Sequence, residues 1–437
     1  MRRMGVIVGI LLGTPLLMAQ SISLPFHEAD SLRNLDWTSY PGMMMLKHRS
    51  GAFFKLPKNP IFRPSRSGWD RQDVADPFVV VTPEAVHLYY DGDARGQYRL
   101  GVARLDSTGW FWIRPLQPLP IQSPQNWDDY HQVAPSVLMH PHRTVMYFSG
   151  NWQDSELGYR LGRAVFVNGE WRVEPPSPIL EPTAGGWDGD GTAYAFVMYD
   201  PIRRTYRMYY TGFQGVFSAI GLVESSDGVR WQAGEANPIF SSPPGVIAPF
   251  VQFDGDTYWM YYVQLELTRG FRTSIFRVQS ADGIRWHSPE KILKPEARWE
   301  GGRLMRPVLA FFDQRIHLFY CAQRGSRWRI GEAVATPQFV EEGVWVSRSI
   351  HQNVEKIQIV YELPMGTALE VDIRSPDKHV QIPLSRSHRS AGLRRGVYRT
   401  EIDLSAQQIT VPFRIGLIFR SDRADRSPVV YRIHLIP

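Results

Sequence analysis

Asp76 closes the stretch W-D-R-Q-D-V-A-D (69–76) and stands directly before Pro77 and the apolar run F-V-V-V. A carboxylate at the head of an apolar strand can exchange a proton with a bound molecule or accept a hydroxyl from it. Acid–base chemistry there needs a partner on the far side of a pocket. Asp190, in D-G-D-G-T, and Glu266, in Q-L-E-L-T-R, are the candidate proton donors. Asp73, His131, Glu300, Arg303 and Arg306 are candidate binding groups, and Trp152, Phe213 and Phe217 supply flat apolar surface.

These residues fall on a repeat. Trp69-Asp70, Trp127-Asp128, Trp187-Asp188 and Trp299-Glu300 each precede an apolar run by the same interval. A further copy, P-P-G-V-I-A-P-F-V-Q-F, lacks the Trp but keeps Ala248-Pro249. Neighbouring copies lie about 54 to 60 residues apart, the signature of a repeat architecture. The acid after each Trp recurs at one phase, which argues for a structural task at Asp70, Asp128, Asp188 and Glu300. The slot seven residues after the Trp does not recur in kind. It reads Asp76, Ala134, Tyr194, Ala248 and Arg306, so a carboxylate stands there once.

Each unit continues with an aromatic run (V-H-L-Y-Y, T-V-M-Y-F, Y-R-M-Y-Y, Y-W-M-Y-Y, I-H-L-F-Y) and a third apolar run. Turn chemistry such as S-S-D-G-V-R-W or S-A-D-G-I-R-W then announces a fourth. Four short strands, repeated five times without a helical period, predict an all-β fold, a five-bladed β-propeller over residues 20–340. The last unit shows only three strands, so ring closure calls for a strand from M-M-M-L-K or G-A-F-F-K upstream of Asn59-Pro60. Residues 341–437 alternate in I-Q-I-V-Y, L-E-V-D-I and R-I-G-L-I-F and are expected to form a small C-terminal β-sandwich. In a propeller the loop leading into each inner strand opens on the axial channel, which would put the Asp76 carboxylate near solvent.

The stretch V-A-D-P-F-V-V-V, the N-P-I-F openings at Asn59 and Asn237, and the S-x-D-G-x-x-W turns resemble the five-bladed propeller glycosidases. These are glycoside hydrolase families 43, 32 and 68 and, more distantly, families 117 and 130; the resemblance spans residues 45–340. It implies carbohydrate as the partner and gives Asp76 the role of general base in an inverting hydrolysis. Family 43 carries its acid, a Glu, in E-G-P on the fourth inner strand, where this chain has Val246-Ile247-Ala248-Pro249. The D-P of the third blade is replaced by Ala193-Tyr194. Two readings stay open: a hydrolase whose acid is Asp190 or Glu266, and a propeller that binds sugar without cleaving it. Arg303 and Arg306 add a third, a phosphorylase.

Residues 1–19 have a charged start, an apolar run of about fourteen residues and a small residue at Ala19. That run is shorter than the roughly 20 residues of a spanning helix. A signal peptide is expected, with a secreted or periplasmic mature chain and no stable membrane insertion. The single cysteine, Cys321, excludes an internal disulfide. Net charge is +6, and the basic tract 386–395 comes with no nucleic-acid motif, so no nucleic-acid partner is expected. No metal-ligand spacing calls for a cofactor, although a structural calcium in the channel is compatible with the class.

Overall fold

The repeated tryptophan organises the first three units through two glycines each, and the last through Gly331. A Cβ at Gly101 would lie 2.5 Å from the Trp69 ring, and one at Gly162 would lie 2.2 Å from the Trp127 ring. Gly212 and Gly221 meet Trp187 in the same way. The indole therefore lies flat across the second and third strands, where any side chain would displace it. The acid that follows ties the leading loop down. Asp188 accepts the Tyr210 hydroxyl at 3.0 Å and the Thr183 amide at 3.1 Å, and Glu300 accepts the Tyr320 hydroxyl at 2.8 Å. Asp70 bonds Tyr90 and Arg114, and Asp128 bonds Gln132 and the Ser123 amide.

The computed structural model describes residues 21–437 except 28, 41, 141–142, 154–157, 201–202, 235, 269 and 387–391. The expected signal peptide (1–19) and half of the basic tract lie outside the described residues. The chain is all-β, and its one helical element among those residues is the 3-10 turn Arg298–Glu300. Three separate four-stranded antiparallel sheets come first, with inner strands Asp73–Val81, His131–His140 and Gly191–Asp200. Two more units begin at Val246–Phe253 and Arg303–Phe312 and are joined by one parallel bridge, Thr273 to Arg303. Phe54–Lys55 pairs with Arg327–Ala335 and supplies the fourth strand of the last unit. Of the two closing segments, G-A-F-F-K takes that place.

M-M-M-L-K does something else. Met44–Leu46 pairs with Leu35–Asp36 and with the C-terminal strand Val429–Ile436. Ile22–Ser23 pairs with that strand as well, and Ala29–Arg33 pairs with Glu342–Ser347. Residues 22–46 thus differ from the boundary drawn at residue 20: they complete the two sheets formed by residues 342–437. The buried residues of those sheets alternate, as at Ile357/Ile359 and Leu369/Val371/Ile373, and Trp345 is fully enclosed. N-terminal apolar residues read as propeller strands because periodicity reports burial, not partner. Arg394, from the basic tract, anchors the same region by donating to Thr82 O at 2.8 Å and to the Tyr431 hydroxyl at 2.7 Å.

The two N-P-I-F openings clamp third strands identically. The Asn59 side chain pairs both backbone groups of Glu332, and Asn237 does the same to Leu222. A side-chain amide presents a donor and an acceptor side by side, which matches the exposed edge of a strand.

Candidate functional site

A local backbone feature recurs at the head of every inner strand. Asp76, Ala134, Tyr194, Ala248 and Arg306 all have positive φ, between 43° and 56°. The antiparallel register slips at each, for example between Ala75 and Phe78 and between Met305 and Val308. Each is a β-bulge whose extra residue is turned out of the ladder. Left-handed backbone costs about 1 kcal/mol or more for a residue with a Cβ, so its fivefold recurrence points to a geometric requirement. Proline does not cause it, because Tyr194 is followed by Ala195.

The bulges bring Asp76 and Arg306 to one end of the axial channel. Arg306 is 1% exposed and its Nη2 reaches across the axis, donating to Pro135 O and Ala195 O, each at 3.0 Å. Its guanidinium lies 6.0 Å from the Tyr194 ring centroid. Nε and Nη1 have no hydrogen-bond partner among the described residues. Asp76 receives the Cys321 thiol at 3.6 Å. Burial pushes its carboxyl up; the Arg306 charge and hydrogen bonds from Cys321 and Asp91 oppose that rise without cancelling it.

Asp91 is the residue that sequence reasoning missed. It sits in Y-Y-D-G-D on the second strand of the first unit, 1% exposed, and accepts the Ala134 amide at 3.3 Å. Burial, then the Asp76 charge, pushes its carboxyl well above the usual range. Two buried carboxyls in contact favour one shared proton. The available signal was an acid inside an apolar strand run, which is rare unless paired.

At the channel mouth, Asp73 accepts the Trp328 amide at 2.6 Å and the Tyr98 hydroxyl at 3.1 Å, and burial again raises its carboxyl. His131 packs against the rings of Tyr130, Tyr98 and Tyr159. Its Nδ1 accepts the Tyr98 amide at 3.2 Å, so the neutral ring carries its proton on Nε2. Trp152 and Phe217 are exposed and Phe213 is half-buried; Trp152 follows a second strand, while Phe213 and Phe217 end the paired second and third strands of their unit and not a loop. Arg303, also exposed, donates to Gln323 at 2.8 Å and lies over the Phe271 ring.

Of the remaining candidates, Glu266 and Glu300 are engaged elsewhere. Asp190 uses Oδ2 to accept the Gly215 amide at 2.6 Å. Glu266 is paired with Lys291 at 2.5 Å and Ser274 at 2.8 Å. Partial desolvation pushes the Glu266 carboxyl up, but those bonds outweigh it and hold it below the usual range. That is opposite to what a proton donor needs. Glu300 is fully buried, accepting Tyr320, Lys55 and the Glu296 and Ala297 amides, and so serves the loop, not a ligand. Among the described residues no group of three or more His, Cys, Asp or Glu is placed to hold a metal, and no helix is long and apolar enough to cross a membrane.

A cavity of about 650 Å³ lies at the other end of the channel. It is lined by Val79, Val81, Leu138, Val197 and Val251 and capped by Trp37 of the N-terminal segment.

No protein-family model and no curated protein matches the sequence. Solved structures do match its fold. One described as a glycoside hydrolase is 17% identical over 64% of this chain and 92% of its own, with a TM-score of 0.54. A glycosyl hydrolase from Bacteroides ovatus is 15% identical over 65% and 94%, at 0.51. A third, at 16% identity over 65% and 94% and a TM-score of 0.51, comes from work on mannoside phosphorylases of family GH130 and hydrolases of β-1,2-mannosidic linkages in Candida mannan. The chain therefore shares the fold of propeller glycosidases, in line with the resemblance carried by its motifs.

Proposed function

We propose that the chain is a five-bladed β-propeller with a β-sandwich built from both chain ends, and that it acts on carbohydrate as a glycoside hydrolase. The observation that carries this reading is the Asp76–Asp91 pair, set in the one inner-strand slot where a carboxylate breaks the repeat. Asp76 serves as general base, and Asp91, holding the shared proton, keeps it ionised and aimed. Inverting hydrolysis needs the second carboxyl roughly 6.5–9.5 Å away, with a water between. Asp91 is too close for that role, so the donor is assigned to Asp190, which spends only Oδ2 on the Gly215 amide. In this reading Asp73 and His131 hold sugar hydroxyls, and Trp152 and Phe213 stack on sugar faces. The leader at residues 1–19 supports a secreted or periplasmic location.

A second reading, a propeller that binds sugar without cleaving it, is favoured by the burial of Asp76, which is 7% exposed beneath the Arg306 side chain. The test is a screen of aryl-glycosides and oligosaccharides, with and without phosphate, on wild type, Asp76→Asn and Asp190→Asn. Under the hydrolase reading Asp76→Asn loses roughly 10²- to 10⁴-fold in kcat while binding survives. Asp190→Asn loses most on substrates with poor leaving groups. Tight binding without cleavage by the wild type establishes the second reading, and phosphate-dependent cleavage would establish a phosphorylase.

A further inference from the structure

The rim beside the blade-one carboxylates is built of arginine. Arg324, Arg327 and Arg329 come from Q-R-G-S-R-W-R, the hairpin tip that joins the second and third strands of the last unit. The Trp328 amide in that tip bonds Asp73, which places the tip at the channel mouth. Arg63 is held next to it, because Phe62 bridges to Ile330. Arg303 heads the adjacent inner strand, and the Arg272 side chain lies beside Gly302. The six form an arc over the mouth from the fourth unit to the first.

None of the six has an ion pair within 4.0 Å among the described residues. Some arginines elsewhere are paired: Arg420 with Glu342 and Glu370, Arg432 with Glu84, Arg374 with Asp372. Burial first, and then the charges of Arg327, Arg63 and Arg324, lower the pKa of Arg329. Its Nη1 is buried with no hydrogen-bond partner among the described residues. Like charges gathered at a cleft without counter-ions repel one another, and an anion laid across them relieves that repulsion. The guanidinium fork matches a carboxylate bidentately.

We propose that the ligand of this channel mouth is an acidic polysaccharide, a polyuronate whose carboxylates lie along the arginine arc while one sugar faces Asp73 and Asp76. The inference rests on the carbohydrate reading above and names the class of sugar. It is tested by titrating polygalacturonate, its methyl ester and polyglutamate into wild type, Arg324→Gln/Arg327→Gln and Asp76→Asn. Both arginines are exposed, so the double variant should melt as wild type does. Binding of the free acid is expected, weakening with salt and falling about tenfold in the double variant. The ester and polyglutamate should bind far more weakly. Equal binding of the ester, or equal binding of polyglutamate, overturns the proposal. Cleavage of neutral glycans that depends on Asp76, without preference for acidic ones, also overturns it while leaving the hydrolase reading intact. Polyuronate binding with no cleavage by any form supports the inference and defeats the hydrolase reading.

Discussion

The two ends of the axial channel are made by the same five strands and could hardly differ more. At the leading end, Arg306 spans the axis to two other units, and Asp76, Asp91 and Cys321 pack beneath it. At the trailing end the same strands finish in Val79, Leu138, Val197 and Val251 around about 650 Å³ of apolar space. Phe78, Phe196 and Phe250 separate the two, with the second pair of rings 4.6 Å apart. Long polar side chains reach across to find hydrogen bonds and so fill the space. Short branched ones have nothing to reach for. The end that holds the carboxylate pair is therefore the closed one, and the open space lies at the other.

The largest effect should come from the trailing end. Deleting residues 22–46 removes its cap together with strands from both C-terminal sheets, so the product should be insoluble or lack a cooperative thermal transition. A soluble, cooperatively melting truncation would show that the cap is dispensable. Arg306→Met should cost roughly 3–5 kcal/mol in urea unfolding, because it leaves Asp76 buried without its counter-charge. A loss below about 1 kcal/mol would mean that the crossing guanidinium does not hold the leading end together.

One enlargement made at both ends sharpens the contrast. Ala134→Leu, at a fully buried residue with φ of 55°, should cost about 1–3 kcal/mol, whereas Val79→Leu, facing the cavity, should cost less than about 1 kcal/mol. Equal costs would erase the distinction. The smallest effect concerns protons. Because the folded pKa of Asp91 lies above its unfolded value, the native state binds more protons, and stability falls as pH rises from the unfolded towards the folded pKa. Asp91→Asn mimics the protonated form, so its Tm should exceed that of wild type at neutral pH, with the gap closing below about pH 4. A gap that is independent of pH would show that Asp91 does not carry the shared proton.

Much of this was legible before any coordinates. Trp69 and its repeats, with their glycines and acids, act within single units and leave a periodic mark. Asp76 stood out because it broke that mark. Asp91 did not, since D-G-D after an aromatic run reads equally well as a turn. Glu266 looked available because sequence does not show the Lys291 ammonium that engages it.

The all-β character, the repeat and the singular carboxylate follow from sequence alone, because side-chain period and turn chemistry are local. The tertiary structure decided the rest. It brought Cys321 to Asp76 across 245 residues, laid Arg306 against carbonyls 111 and 171 residues away, and drew residues 22–46 to the far end of the chain. Closing a ring of similar units sets which side chains meet at its axis, and that closure depends on every unit at once.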